Sequence, residues 1–234
     1  PSGEITNAPF VLEHARTGCD LIVSSGLTNL AEIEAMLGVI AFGLTSPINC
    51  QPNETLFAKA YASEEGQRAL KNKVTLLHCT TEYPAPVNEI NLRAIKTLTS
   101  AFKLPVGFSD HSDGIILPLA SISLGVCVLE KHFTLDKSLV GPDHQASLDP
   151  FELKAMVDGI RQIELALGDG IKKPTLSELK NQSVIRKSLV ALQEIKIGET
   201  FNIESLGVKR PGDGMSPYLY WDVIGTVSSK SYLS

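Results

Sequence analysis

Four short apolar runs, separated by segments with helical periodicity, constrain the fold of this chain most strongly. The runs are nearly continuous rather than alternating, as expected for strands buried on both faces of a parallel sheet. They cover residues 20–25 (DLIVSS), 74–81 (VTLLHCTT), 104–111 (LPVGFSDH) and 126–133 (VCVLEKHF). Strand and helix alternate along this part of the chain, which predicts an α/β class with parallel strands.

The segments between and after the runs repeat apolar residues at steps of three and four, which is typical of helices packed on a sheet. We expect helices over 29–42, 88–102, 115–125 and 149–168, and a further helix within 57–72. Asn29 and Asn88 are placed to cap two of these helices, and Pro150 lies in the first turn of another.

Polar residues collect at the carboxyl end of each run. They are Ser24, Ser25, Thr80, Thr81, Tyr83, Ser109, His111 and His132. In a (β/α)8 TIM barrel this rim carries catalysis, whereas an open doubly wound sheet binds at one switch point, often with a glycine-rich loop. Because the chain has neither GxGxxG nor GxxxxGK[ST], the pattern favours the barrel.

Composition excludes several classes of protein. Apolar residues make up 43% of the 234 residues, enough for a sizeable core. Acidic residues outnumber basic ones by 26 to 21 without a dense basic patch, which argues against nucleic acid as a partner. No apolar run approaches the ~20 residues of a membrane span, and no signal-peptide pattern is present. We therefore expect a cytoplasmic protein without a membrane partner.

The four cysteines are scattered, with no CxxC pair, and we interpret them as reduced thiols. Cys79 and Cys127 lie inside apolar runs, where a cysteine is usually a small buried hydrophobe.

The character of the chain changes after Gly168. Residues 1–170 are predicted to form the barrel part and 171–183 a polar linker. Residues 184–234 read as short strands broken by Gly and Pro, which predicts a small, mostly β domain.

His111 and His132 end two successive runs joined by one short helix, so their strands should be parallel neighbours. Neighbouring strands lie ~4.8 Å apart, and both imidazoles could reach one ion. Two protein ligands, with the other positions left to water or substrate, suit a catalytic divalent metal. The alternative is that each histidine caps its strand and bonds a backbone carbonyl.

Other polar residues remain open on the residues alone. Asp143 could clamp a substrate hydroxyl or form a turn, and the residues alone favour the turn; for Arg210 they favour a solvated surface position. His78 is expected in the core or behind the site, and His14 in solvent.

Eight segments carry a resemblance to a known family. They are PSGEITN, HCTTEYPAP, GFSDHS, EKHFTLD, GPDHQASL, GDGIKKPTLSELKN, RKSLVA and VKRPG. Through them the chain resembles, essentially from end to end, the sialic acid synthases, meaning the N-acetylneuraminate, legionaminate and related nonulosonate synthases. The resemblance implies a TIM barrel followed by an antifreeze-like (SAF) domain.

The same resemblance implies a transferase that forms a carbon–carbon bond. Phosphoenolpyruvate is condensed with an N-acetylated, mannosamine-type hexose to give a nine-carbon 2-keto-3-deoxy acid and phosphate. The implied cofactor is a divalent metal, Mn2+ with Mg2+ or Co2+ as alternatives, which polarises the sugar aldehyde as a Lewis acid. The implied assembly is a domain-swapped homodimer.

Site residues follow from the matched motifs. The metal histidines fall on His111 and His132. The phosphoenolpyruvate contacts fall on Ser2, Ser24, Thr81 and Ser109. The sugar contacts fall on Tyr83, Asp143 and, from the SAF domain of a partner subunit, Arg210.

The chain departs from the family pattern in two respects. Barrel strands one to three and most of the fourth, with two substrate lysines and an acidic residue, have no counterpart, and the SAF ending is slightly short. We therefore expect a piece of a longer enzyme that is inactive alone. Sialic acid members carry asparagine at the Thr81 position, so Thr81 and the acidic Glu82 leave the acceptor sugar open. Legionaminate-type and pseudaminate-type precursors are candidates beside N-acetylmannosamine, and of these two the legionaminate type is preferred.

Two other functions fit the same residues less well. One is another phosphoenolpyruvate-condensing sugar-acid synthase with a different acceptor. The other is a non-catalytic barrel remnant whose SAF domain serves as a binding or dimerisation module, which the intact GFSDHS, EKHFT and GPDH motifs oppose.

Overall fold

The computed structural model describes residues 1–210 and 214–234. Contacts divide the chain into two compact units, Pro1–Asp169 and Gly170–Ser234. The first unit has seven helices among its described elements: α1 (Ala8–Arg16), α2 (Leu30–Thr45), α3 (Glu54–Ala62), α4 (Glu64–Lys73), α5 (Ala94–Phe102), α6 (Ile116–Ile122) and α7 (Pro150–Leu167). Its strands are β1 (Leu21–Ser24), β2 (Val74–Cys79), β3 (Val106–Asp110) and β4 (Leu129–Lys131).

The four strands form one sheet in the order β1-β2-β3-β4, and every adjacent pair is parallel. The α/β class and the parallel alternation are therefore confirmed, and consecutive order is the arrangement found in half of a (β/α)8 barrel. Leu76, Leu77 and Phe108 are almost completely buried in the central strands. The core cluster that contains Leu76 and Phe108 also includes five residues of α2: Ile33, Met36, Leu37, Ile40 and Ala41.

Three element boundaries differ from those expected. The helix expected over 88–102 begins only at Ala94, because Asn91 has a left-handed backbone (φ 48°) that interrupts a helix. The helix expected within 57–72 is divided into α3 and α4 at Ser63, whose hydroxyl accepts a hydrogen bond from Gly66 N and caps the second helix.

The strand expected over 126–133 is limited to Leu129–Lys131. Cys127 consequently lies before the strand and is exposed, so its expected burial is wrong.

The second unit contains α8 (Leu176–Ile185), the antiparallel pair β5 (Ser188–Ala191) and β6 (Leu206–Lys209), and the short helix α9 (Tyr220–Val223). Isolated bridges join Ile195 to Tyr232 and Thr200 to Val227. Helix α8 occupies much of the stretch expected to act as a linker, with Thr175 and Glu178 forming its capping box.

Three short 3-10 helices, Ser2–Glu4, Val87–Glu89 and Pro217–Leu219, complete the described elements. Within the described ranges, no helix is both long and apolar enough to cross a membrane.

Gly107 is required where β3 passes β4. A methyl group at this position would lie 2.6 Å from Val128 O and 3.0 Å from Val128 Cβ, and a backbone carbonyl cannot rotate away as a side chain can. We expect Gly107→Ala to lower the free energy of unfolding by about 1–3 kcal/mol through overpacking, measured by urea denaturation.

Gly3→Ala is the matched control, because a methyl group there meets nothing within 4 Å. It should change the stability by less than about 0.5 kcal/mol. Equal effects of the two substitutions would contradict the close approach of β3 and β4 at Gly107.

Candidate active site at the carboxyl ends of the strands

The site is built on the register between β3 and β4. Ser109 lies opposite Glu130, and Asp110 opposite Lys131. His111 and His132 follow these pairs directly. Their ring centroids are 5.3 Å apart at an angle of 89° between the planes. The structure therefore brings together the two histidines that the sequence placed at neighbouring strand ends.

Hydrogen bonds define which nitrogen of His111 is available. Its Nδ1 lies 2.8 Å from Thr80 O, and because a carbonyl can only accept, Nδ1 carries the proton. Its Nε2 lies 3.4 Å from Ser109 Oγ, but that hydroxyl donates to Glu130 Oε1 at 2.7 Å. In the neutral imidazole, Nε2 thus presents a lone pair that receives no proton from Ser109.

His132 lies beside a carboxylate. Its Nδ1 is 3.9 Å from Asp143 Oδ2, a distance beyond a direct hydrogen bond. The Tyr83 ring lies against both histidines, with centroid distances of 4.2 Å to His111 and 5.3 Å to His132. Tyr83 and Asp143, the two expected sugar contacts of this unit, are therefore neighbours of the histidine pair.

The hydroxyl groups expected to bind phosphoenolpyruvate surround the same rim. Ser2 Oγ and Ser24 Oγ are 2.8 Å apart, and Ser2 donates to Cys79 Sγ at 3.6 Å. Thr81 follows Cys79 closely in the sequence, and its Oγ1 lies 4.0 Å from the same sulfur. Cys79 Sγ is also 3.8 Å from His111 Nδ1 and so joins the hydroxyl cluster to the histidines.

Gly26 allows this cluster to close. A methyl group there would lie 2.5 Å from Ser2 Oγ and closer still to Thr81 Oγ1. The loop after β1 can therefore approach the other hydroxyls only with glycine at this position.

The thiol of Cys79 and the imidazole of His111 favour each other's charge. Burial, the largest single effect, raises the pKa of Cys79, but hydrogen bonds with His111, Ser24 and Ser2 together lower it to about 7. Burial lowers the pKa of His111. The hydrogen bonds with Cys79 and the Thr80 carbonyl outweigh this effect, so the pKa lies above its ordinary value.

The rim has a negative potential around Tyr83. Burial raises the pKa of the phenol, and the negative charges of Cys79, Asp143 and Glu130 raise it further. Such an environment disfavours an added anion unless a cation is also present.

The separation of the two imidazole rings is compatible with one shared divalent cation. A ring centroid lies about 3.3 Å from an ion bound ~2.1 Å from one ring nitrogen. Two rings with centroids 5.3 Å apart can then subtend about 107° at the ion, which four- to six-coordinate metals accept. Among the described residues, no group of three or more His, Cys, Asp or Glu side chains is arranged as a metal site. The histidine pair would therefore supply two ligands.

Arg210 belongs to the second unit, where it follows β6 and is exposed. Its neighbours Pro211, Gly212 and Asp213 lie outside the described residues. His14 is exposed on α1 as expected, and its Nδ1 lies 2.9 Å from Phe10 O.

Sequence reasoning missed three contributors to the site: Cys79, Glu130 and Gly26. Cys79 was expected to be a buried hydrophobe; it is buried, but its thiol contacts polar groups. Its place directly opposite Ser109 in the register is the signal that identifies it as facing the site. Glu130 shares a strand face with His132, which was visible in the sequence without a role attached.

Comparison with known proteins identifies the family. The model described as the NeuB family matches residues 1–172. The chain therefore belongs to the NeuB family, in agreement with the resemblance to nonulosonate synthases.

Two relatives are N,N'-diacetyllegionaminic acid synthases. That of Campylobacter jejuni is 48% identical over 99% of this chain, and that of Legionella pneumophila is 38% identical over 97% of it. The chain spans 62% and 57% of their respective lengths. The crystal structure of an N-acetylneuraminic acid (sialic acid) synthetase from Leptospira borgpetersenii, in complex with citrate, is 32% identical with a TM-score of 0.60, covering 77% of this chain and 54% of that one.

His78 lies on the face of the sheet opposite the rim, and its titration tests how well its side chain is shielded from water. Its Nε2 lies 2.6 Å from Ile90 O, and its ring stacks on Phe108 with a centroid distance of 5.9 Å. Burial lowers the pKa of His78 below 6.5, against the opposing effect of the Ile90 bond. Below about pH 6.5 the unfolded chain thus binds this proton more readily than the folded chain.

His78 should therefore lower the free energy of unfolding as pH drops from 7.5 to 5.5, by at most about 1.4 kcal/mol per pH unit, whereas His111, whose pKa is raised, contributes in the opposite direction. Urea denaturation at both pH values should show a smaller fall for His78→Gln than for the parent. The control His14→Gln, at an exposed histidine, should follow the parent. A His78→Gln variant with the parent's pH dependence would contradict the burial of a neutral imidazole.

Proposed function

We propose that this chain provides the metal-binding rim of a nonulosonate synthase, which condenses phosphoenolpyruvate with an N-acetylated hexose and releases phosphate. The observation that carries the proposal is the adjacent pair His111 and His132, with Nδ1 of His111 bonded to a carbonyl, beside the hydroxyls of Ser2, Ser24 and Ser109. Membership of the NeuB family supports the reaction class.

The reaction forms one bond between carbon atoms and breaks one bond to phosphate. C3 of phosphoenolpyruvate bonds to the aldehyde carbon as the C2–C3 and aldehyde C–O double bonds become single bonds. Water adds at C2, and one of its protons passes to the new alkoxide. The C2–O bond to phosphate then breaks, the remaining proton leaves with phosphate, and C2 becomes a ketone. A divalent ion, Mn2+ with Mg2+ or Co2+ as alternatives, would supply Lewis acidity at the aldehyde when bound to His111 and His132.

The protein's own groups would orient the reactants. Thr80 O holds His111 in the tautomer that leaves Nε2 available, and Asp143 faces Nδ1 of His132. The hydroxyls of Ser2, Ser24, Thr81 and Ser109 are donors suited to phosphate and carboxylate oxygens. Ser109 donates its hydrogen bond to Glu130 in the structure, so it would turn this proton from Glu130 to the ligand when phosphoenolpyruvate binds.

The acceptor would lie against Tyr83 and Asp143, which border the histidine pair and are both exposed. The names of the two legionaminic acid synthases support a diacetamido-trideoxyhexose as the acceptor. Binding of this sugar in the presence of Mn2+ and phosphoenolpyruvate, measured by saturation-transfer NMR, should exceed that of N-acetylmannosamine. The reverse preference would overturn the assignment.

We extend the proposal to the second unit as an antifreeze-like SAF domain. In a domain-swapped homodimer, Arg210 of this unit would contact the sugar bound to the barrel of a partner subunit. The exposure of Arg210 supports such a role, since an exposed guanidinium can reach a second chain. A cytoplasmic location is consistent with this chemistry.

Removal of one histidine should abolish the metal site. We expect the 234-residue chain to bind Mn2+ saturably. His132→Ala should lose that binding, because the single imidazole that remains is not enough to hold the ion. The six-line EPR signal of free Mn2+ reports the binding: it should decrease with the parent and match buffer alone with the variant.

The control is His14→Ala, which removes an exposed imidazole of α1 that bonds its own helix. It should bind Mn2+ like the parent. Retention of Mn2+ by a folded His132→Ala variant would contradict the two-histidine site, and no binding by the folded parent would favour a non-catalytic barrel.

A further inference from the structure

A buried ion pair lies on the face of the sheet opposite the candidate site. Lys131 Nζ donates to Asp110 Oδ2 at 2.6 Å, and the two side chains are 5% and 0% exposed. The pair occupies directly opposed positions of β3 and β4. Each member is the residue immediately before one of the two histidines.

The pair also fixes the turn that follows His111. Asp110 Oδ1 accepts hydrogen bonds from Ser112 N at 2.9 Å and Ser112 Oγ at 2.7 Å. Lys131 Nζ donates in addition to the carbonyl oxygen of Ser112. His111 is therefore flanked on both sides by residues tied to Lys131, on the neighbouring strand.

Stability alone is a weak reason for such a pair. Removing two charges from water costs several kcal/mol per ion, and a buried pair is often replaced by apolar residues without loss. What an apolar pair cannot supply is a fixed direction, because hydrogen bonds of 2.6–2.9 Å constrain both strand ends while dispersion contacts do not.

The register gives this constraint a consequence for the histidines. Side chains of successive strand residues point to opposite faces. Holding Asp110 against Lys131 on one face therefore sets how His111 and His132 emerge on the other, where their centroids are 5.3 Å apart. The bond from His111 Nδ1 to Thr80 O, at 2.8 Å, depends on the same placement of the His111 backbone.

We propose that Asp110 and Lys131 are positioning residues, which hold His111 and His132 at the separation and in the tautomer that binding of one divalent ion needs. The ion itself rests on the proposed function, whereas the placement and tautomer of His111 do not require a metal. The two parts are therefore tested by different readouts.

The first readout is the dissociation constant for Mn2+, measured by EPR on the 234-residue chain. Lys131→Met removes the cation while keeping an unbranched side chain, and we expect Mn2+ to bind about 10–100-fold more weakly. Lys137→Met is the matched control: Lys137 Nζ lies 2.6 Å from Glu152 Oε2, the same length of pair, but both side chains are more than one-third exposed. The control should bind Mn2+ like the parent.

A second variant covers the outcome in which Lys131→Met does not fold because it leaves Asp110 charged and buried. Asp110→Asn combined with Lys131→Met has no buried charge, and Asn Oδ1 can still accept the bonds from Ser112. We expect this double variant to fold and to bind Mn2+ at least about 10-fold more weakly than the parent. A folded variant of either kind with the parent's affinity overturns the metal part of the proposal.

The second readout needs no metal. Nitrogen-15 NMR of the imidazoles identifies the protonated nitrogen, and neutral His111 in the parent should be the Nδ1–H tautomer. The double variant should show a mixture of tautomers, while Lys137→Met should not. An unchanged His111 tautomer in the folded double variant overturns the positioning role. Failure of the parent to bind Mn2+ would instead contradict the metal assignment. The His111 tautomer would then decide whether Asp110 and Lys131 are positioning residues.

Discussion

The parallel register between β3 and β4 is the constraint on which the rest of the site depends. Because Ser109 lies opposite Glu130 and Asp110 opposite Lys131, the next residues of both strands, His111 and His132, emerge side by side. A shift by one residue would turn the histidines to opposite faces of the sheet. The short β4 can hold this register because side-chain bonds on both faces reinforce its backbone pairing.

The two faces of the sheet carry different polar groups at this end of the strands. Cys79, Ser109, Glu130 and the two histidines share the face that carries hydroxyl, thiol and carboxylate groups. Asp110, Lys131 and His78 lie behind them, where Lys131 is paired with the Asp110 carboxylate and the Ser112 carbonyl, and His78 with the Ile90 carbonyl. The supporting face thus satisfies its buried polar groups internally. On the other face, the bond from His111 Nδ1 to Thr80 O leaves the lone pair of Nε2 for a ligand.

Much of this arrangement could be predicted from the sequence. Continuous apolar runs ending in Ser, Thr and His are sufficient to place parallel strands with a polar rim, and the short connection between the last two runs makes His111 and His132 neighbours. Boundaries were less accessible, because they depend on single residues. Asn91 adopts a left-handed conformation and Ser63 caps a new helix, and neither effect follows from apolar periodicity.

Contacts between distant residues were the least accessible. Asp110 and Lys131 are 21 positions apart, and nothing in SDHS or LEKH indicates that they meet until the register is known. The polar surroundings of Cys79 likewise depend on Ser2, which is 77 positions away. The role proposed for Arg210 rests on family resemblance alone.

The central claim, that His111 and His132 both bind one divalent ion, is tested most directly by counting nitrogen ligands. Electron spin-echo envelope modulation of Mn2+ bound to the chain detects each coordinated imidazole nitrogen, and selective nitrogen-15 labelling of histidine identifies it as a histidine nitrogen. We predict couplings from two histidine nitrogens. Bound Mn2+ with one coupling or none would show that the two imidazoles do not share an ion and would contradict this account.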